Sequence, residues 1–477
     1  MEASTLQRRF SDALDEARVI AEPDALSAYA ADMTECEPGA PELVVKPRSV
    51  EEVQAVVRLA AADGIPLTPA VARTNVGGLA IPARGGVVVD LSEMNRVVEL
   101  DRDHMIALIE PGVTFAQMKD LLDREAPELT LSYPLSPIYA SVVANFLLDG
   151  LGNLSVRHGA NGEQIGGLEA VLPDGSLVRT GMGAVSEHWL SRAPLPDLTG
   201  LFLNWQGTSG IVTKLAVQLW PRPRLTRRLF IATGDMAGSF AVVRELARAE
   251  VCRDLGGISW PAGKMLFGVE RPLERAPGDP EFFVYADLGG EDEDELRWRE
   301  GRVDAALSRA AAGGLRVVGK LSIDDLIAVA PSFGRFADFP MTLDFLLDHP
   351  GGGLTWVGTY GPTARWEEGA TRCAALMVER GYPPLIVSRP MKGGHFGVLR
   401  MVECFDRGSD EEVARVGELN RDLLDISLEL GFVPYKVPAW AWERMSGRMD
   451  PGYADLLHRV KRLLDPAGIM NPGRLGL

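Results

Sequence analysis

The chain of 477 residues is 46% hydrophobic and 24% charged with a net charge of −17, enough apolar material for two or three globular cores. That acidic balance argues against nucleic acid as a partner, and no apolar run reaches the roughly 18 to 20 residues of a membrane helix. The four cysteines, Cys36, Cys252, Cys373 and Cys404, lie far apart and form no CxxC, which argues against a disulfide framework and a structural zinc site.

In chain order, Ser49 to Glu52 reads as a capping box that opens a helix over about 50–63, carried by Val53, Val56, Val57 and Ala60. IPLTP, GGVVVDLS, VVELD and MIALIEPG read as short strands. Thr114 and Gln117 form a second capping box, for a helix through Leu122, and Ser141 caps VVANFLLD. LEAVLPDGSLVRTG is a strand–turn–strand, and GTSGIVTKLAVQLWPRP adds a strand closed by Pro221 and Pro223. From about 225 to 440, helical stretches such as SFAVVRELARAEV alternate with strands, of which GDPEFFVYADL and GGGLTWVGTYG are the clearest. The tail is a helix, YADLLHRVKRLL, stopped by Asp465-Pro466 ahead of an Asn-Pro-Gly turn.

The common nucleotide motifs fail. Gly150-Leu-Gly152 follows a helix and lacks the third glycine of a dinucleotide fingerprint, and Gly314 to Lys320 is followed by Leu321 where a magnesium-binding hydroxyl is needed. VARTNVGG (Val71 to Gly78) is different: it follows a strand, and its small residues let successive N–H groups turn inward as an anion nest.

KPRSVEEVQAVVRLAAADGIPLTP, ARTNVGG, GGVVVDLSEMNRV and IEPGVTFAQMKDLL, in this order and spacing, resemble the FAD-binding half of the vanillyl-alcohol oxidase/p-cresol methylhydroxylase (PCMH) superfamily. YASVVANFLLDGLGNLSVRHG, GLEAVLPDGSLVRTGMGAV, PDLTGLFLNWQGTSGIVTK and LLDPAGIMNPGRLG continue the match. The resemblance implies an α+β fold: a PCMH-type FAD-binding domain of two α+β subdomains (1–222), an α/β cap domain with an antiparallel sheet (223–440), and a C-terminal segment (441–477) returning to the FAD-binding domain. It further implies that Arg73, Thr74, Asn75, Val76, Gly77 and Gly78 cradle the pyrophosphate. Ser141, Val142 and Asn145 would line the ribityl and phosphate path, Gly150 and Gly152 would let the chain pass close to the flavin, and Pro47, Gly207 and Ile211 would lie at the adenine end. Asn471 of the terminal turn completes the expected cofactor set. No histidine lies between Val71 and Arg84, and Leu354 stands where a cap residue would link the flavin, so non-covalent FAD is expected.

Two branches of the superfamily compete for the substrate. The hydroxy-acid branch carries a metal motif of the form GHxGDGNxH; here Gly394-His395-Phe-Gly397 begins it, but Val398 and Val402 replace the aspartate and the second histidine, so no metal is expected. The 4-alkylphenol branch holds a phenolate with tyrosines and an arginine, and Tyr435-Lys436 stands where that branch has Tyr-Arg. A further tyrosine of that branch is replaced by Gly77. His158, in Arg-His-Gly where the family often has Arg-Tyr-Gly, is expected to act as base or to contact the flavin, and His395, Arg389, Trp356 and Tyr360 are further candidates for the pocket. The expectation is an FAD-dependent oxidoreductase taking a hydride from a 4-alkylphenol or 4-hydroxybenzyl alcohol. A hydroxy-acid dehydrogenase without its metal, or a flavin-binding electron-transfer subunit, remains the alternative. The charged N-terminus without an apolar leader points to the cytoplasm. The expected partners are a small-molecule substrate, an electron-acceptor protein and, from the resemblance, a second copy in a homodimer.

Overall fold

The computed structural model describes residues 3–477. Three parallel strands, Leu43–Val45, Val87–Asp90 and Leu67–Ala70, form the first sheet with a short antiparallel edge, Val19–Ile20. Their near-continuous Val and Leu content follows from burial on both faces: the helix Val50–Asp63 covers one side with Val53, Val56 and Val57 fully buried. Ser49 caps that helix through the Glu52 N–H, but the Glu52 carboxylate does not return to Ser49. It accepts instead from the Arg48 N–H and the Arg18 guanidinium, so the expected reciprocal capping box is half formed. The Thr114–Gln117 box is complete, and its helix runs to Glu125.

A second sheet is antiparallel, in the order Val97–Asp101, Ile106–Ile109, Ile211–Gln218, Ile165–Val171, Leu177–Arg179. The helices Phe115–Glu125 and Val142–Leu147 pack on it through Phe115, Met118, Leu122, Val142 and Phe146. A third sheet has eight antiparallel strands, all within residues 225–434, with the helices Met236–Arg248, Trp366–Glu379 and Asp410–Glu429 packed on one face around Phe240, Trp366 and Phe405. The other face carries Tyr360, Val398, Arg400, Val402 and Arg389.

The chain then returns to the first sheet. Leu67 donates its N–H to Ile469 O and accepts from the Asn471 N–H, each at 2.7 Å. The buried Lys461 ammonium ties the last helix, Pro451–Leu464, to the Thr208 and Met470 carbonyls and the Asp465 carboxylate.

Under the eight-stranded sheet, Glu403 is fully buried and neither of its carboxyl oxygens has a partner. Burial first, and the neighbouring Glu35 second, hold its pKa well above the carboxylate range, so the folded protein keeps it protonated. The unfolded chain releases that proton near pH 4.3, so stability is fully present below that value and declines as pH rises toward the folded pKa. Glu403→Gln is expected to raise the melting temperature at pH 8 by roughly 1–3 °C and to flatten its decline between pH 5 and 8, measured by thermal denaturation.

Candidate active site

Between the first two sheets and the cap lies a cleft enclosing about 1180 Å³ of atom-free space, its mouth included. Its floor is the loop after the strand Leu67–Ala70, from Val71 to Asn75; its walls are Ser141, Ala144 and Asn145 on one side and Gln206, Gly207 and Ile211 on the other; Trp356 and Lys436 close the cap end. Among the described residues, the backbone N–H groups from Arg73 to Gly77 donate to no protein acceptor, a run of five free donors of which the first three line the cleft. Such a nest is what a pyrophosphate requires. The next N–H, of Gly78, goes to Asp32 at 3.0 Å, which ends the run. Gly78 has φ +67, and a Cβ there would lie 2.7 Å from Cys36 Sγ, so only glycine turns the chain here. Arg474, nearly fully buried, donates to the Gly78 and Ile81 carbonyls at 2.6 and 2.5 Å and pins the far side of the loop.

Of the residues expected at the cofactor, Arg73, Thr74, Asn75, Ser141, Asn145, Gly207 and Ile211 line this cleft. The Arg73 side chain, however, turns away: its guanidinium lies 4.0 Å from the Tyr29 ring centre and donates to Ala28 O, leaving only its backbone to the cleft. Val76 points into an apolar cluster with Leu354, Leu346 and Val402, joining the loop to the cap. At Gly77 a Cβ would point at Pro438, 3.6 Å away, so the missing tyrosine side chain would have reached the Tyr435–Lys436 segment.

Other expectations are corrected. Val142 is in the apolar core and its N–H is spent on Val113 O; Val143 lines the cleft instead. Gly150 and Gly152 are off the cleft, and their close approaches are to protein: a Cβ would strike Asn145 at 2.5 Å and Ser132 at 2.2 Å. Pro47 is buried beside the first sheet, away from the cleft. Asn471 acts one layer back, its amide donating to Gln206 O at 2.6 Å. Gln206 was missed by sequence reasoning, having no motif of its own. It lines the cleft and donates to Val437 O at 3.0 Å, while its Oε1 has no partner.

At the cap end, Tyr360 and Tyr435 stack at 4.5 Å with 9° between planes, and the Tyr360 hydroxyl donates to Asp149 O at 2.7 Å. Arg400 donates to the Tyr435 hydroxyl and lies 4.6 Å from the Trp356 ring centre. The Lys436 ammonium lies 5.5 Å from the same ring, and burial, then Arg400, depress its pKa to about 8, so it is mostly charged at neutral pH. Arg400 also escaped sequence reading; its only signal is one charged residue inside the apolar stretch FGVLRMV.

Three of the catalytic candidates lie elsewhere. His158 is not in the cleft: its ring stacks on Trp220 at 3.4 Å and 9°, and burial followed by Arg157 and Arg253 depresses its pKa to about 4. His395 is exposed on the turn after Lys392–Gly394. Arg389 is fully buried, paired with Asp254 and donating to Gly152 O at 2.9 Å, so it locks the cap to the first half of the chain. Removing either partner of such a pair costs about 3–5 kcal/mol, because the other charge is left buried alone.

Residues 41–181 match a family described as the FAD binding domain, and residues 441–475 match the C-terminal domain of FAD linked oxidases. The chain is an FAD-linked oxidoreductase. It is 27% identical to the 4-cresol dehydrogenase [hydroxylating] flavoprotein subunit of Pseudomonas putida, over 98% of this chain and 95% of that protein. Similarity to the D-lactate dehydrogenase of Anaerostipes hadrus is 32% but covers only 43% of this chain and 41% of that one. A crystal structure of p-cresol methylhydroxylase with substrate bound superposes with a TM-score of 0.85 at 22% identity, over 99% of this chain and 96% of that chain. The α+β architecture and the FAD cofactor of this enzyme stand on these matches.

Because His158 is stacked, neutral and outside the cleft, His158→Phe is expected to leave the rate of anaerobic flavin reduction within about twofold; stopped-flow measurement of a loss near the 10²-fold typical of a general base would restore the ring to the chemistry.

Proposed function

We propose that the enzyme oxidises the benzylic C–H of a phenol substituted at the para position, of the 4-alkylphenol or 4-hydroxybenzyl alcohol type. The observation that carries this reading is the cap end of the cleft, where Lys436 and Trp356 bring an ammonium and an aromatic wall together, with the Tyr435 hydroxyl behind them on Arg400. Bound FAD supplies the acceptor of the hydride. Lys436, charged below about pH 8, favours the phenolate over the phenol, and in this reading the Tyr435 hydroxyl donates to the same oxygen. Electron release from that oxygen lets the benzylic hydride leave, and the resulting quinone methide is open to water. Trp356 and the stacked Tyr360–Tyr435 pair supply flat walls for the ring.

The nest formed by Arg73 to Gly77 fits the cofactor's pyrophosphate, and Gln206 Oε1 offers an acceptor on its path. The cofactor is held without a covalent bond in this reading: Leu354 is buried among Val76, Leu346 and Val402, and burial pushes the Cys36 thiol, packed under Gly78, up to about 12. Mass spectrometry under denaturing conditions is expected to give the polypeptide alone; a species heavier by one FAD overturns the non-covalent reading.

The substrate reading is tested by anaerobic titration of the FAD-loaded protein with 4-ethylphenol, 4-hydroxybenzyl alcohol, D-lactate and D-2-hydroxyglutarate, followed at the flavin absorbance. Bleaching by the phenols is expected, with Tyr435→Phe and Lys436→Met each slowing it by at least about tenfold, the range of a lost charged hydrogen bond. Bleaching by the hydroxy acids alone overturns it. So does reduction only by a partner protein, which would mark an electron-transfer subunit.

A further inference from the structure

Arg400 has no role in the reading above, yet it packs on Trp356, which lines the cap end of the cleft. On the strand Phe396–Asp406, Leu399 and Met401 pack under the helices while Val398 and Val402 pack on the opposite face, so Arg400 faces the cofactor side. One edge of its guanidinium is engaged by the Tyr435 hydroxyl, while its Nε is shielded from solvent without a partner. No carboxylate pairs with Arg400 or with Lys436, whose only strong neighbour is Arg400 itself. On the same sheet face, Tyr285 lies across Gly256 toward the strand Ile386–Met391, and its hydroxyl too is shielded and without a partner. Arg389, 6.0 Å from the Tyr285 ring centre, is by contrast fully neutralised by Asp254.

Arg400 and Lys436 are thus two half-buried cations that no acid pairs with among the described residues. Charges withdrawn from water persist only when something pairs with them. A phenolate supplies a single negative charge, which balances one of the two. A second anion would balance the other, and the guanidinium N–H donors that Tyr435 does not engage suit the oxygens of a carboxylate.

We propose that Arg400, aided by the Tyr285 hydroxyl, anchors a carboxylate on the substrate, so that this enzyme prefers hydroxyaryl carboxylic acids to uncharged alkylphenols. The inference rests on the phenol reading for the ring hydroxyl and adds a second anchoring point to it.

The test compares acids with their isosteric amides on the FAD-loaded protein at pH 7, by calorimetry and by perturbation of the flavin spectrum. Two pairs are used: 4-hydroxybenzoate with 4-hydroxybenzamide, which have no benzylic C–H to oxidise, and 3-(4-hydroxyphenyl)propanoate with its amide under anaerobic conditions. In at least one pair the acid is expected to bind ten times or more tighter than the amide. Arg400→Gln should reduce that ratio below threefold, and Arg400→Lys should restore part of it, with bound FAD and circular dichroism unchanged. Equal binding of acid and amide in both pairs overturns the proposal, as does an acid preference that survives Arg400→Gln. If Arg400→Gln does not fold, Arg400→Lys decides: a ratio unchanged from wild type overturns the proposal, and a loss of at least threefold supports it. Benzoate separates the two readings. If it binds as tightly as 4-hydroxybenzoate, the phenol contact fails while the carboxylate ratio stands.

Discussion

Five consecutive backbone donors, from Arg73 to Gly77, have to remain unpaired inside a folded protein, and the rest of the architecture serves that requirement. Free N–H groups are costly unless a ligand meets them, and a loop carrying them would collapse onto nearby carbonyls if left unsupported. Here the support comes from outside the loop. Asp32 takes the Gly78 N–H, Arg474 holds the Gly78 and Ile81 carbonyls, and Leu67, at the start of the preceding strand, is clamped by Ile469 and Asn471. The last residues of the chain thus fix a loop that lies almost 400 residues earlier.

The cap depends on the same frame. Its contacts with the first half of the chain include hydrogen bonds to backbone carbonyls, Arg389 to Gly152, Tyr360 to Asp149, and Gln206 to Val437, beside the Lys392–Glu163 ion pair. Carbonyl acceptors fix position without adding charge. Electrostatic balance at the site is therefore set by side chains alone, and the Arg389–Asp254 pair is internally neutral. What remains is the Arg400–Lys436 end, where burial first and Arg400 second depress the pKa of Lys436, and the Nε of Arg400 has no partner among the described residues.

The elements with a strong local signal were legible. The Thr114–Gln117 box, the helix over residues 50–63, the buried VVVD strand and the loop from Arg73 to Asn75 all appear where their sequences put them. Glycines misled when the reason for the missing Cβ lay across the fold. Gly150 and Gly152 make room for Asn145 and Ser132, and nothing in their own neighbourhood in the sequence distinguishes that from room for a ligand. The histidines misled in a similar way. His158 stands in a motif-bearing turn, but its ring is taken up by Trp220, a residue 62 positions later.

The sequence alone determined the α+β architecture and the FAD cofactor, because these depend on local periodicity, turn chemistry and ordered blocks that can be read along the chain. Tertiary structure decided which candidates reach the cleft. It removed His158 and His395, reassigned Arg389 to holding the cap, and brought in Gln206 and Arg400. The physical reason is that burial and charge balance are properties of what surrounds a side chain in space. For Arg400 those surroundings are Trp356 and the Tyr435-Lys436 pair, contributed by two segments that no local pattern connects to it.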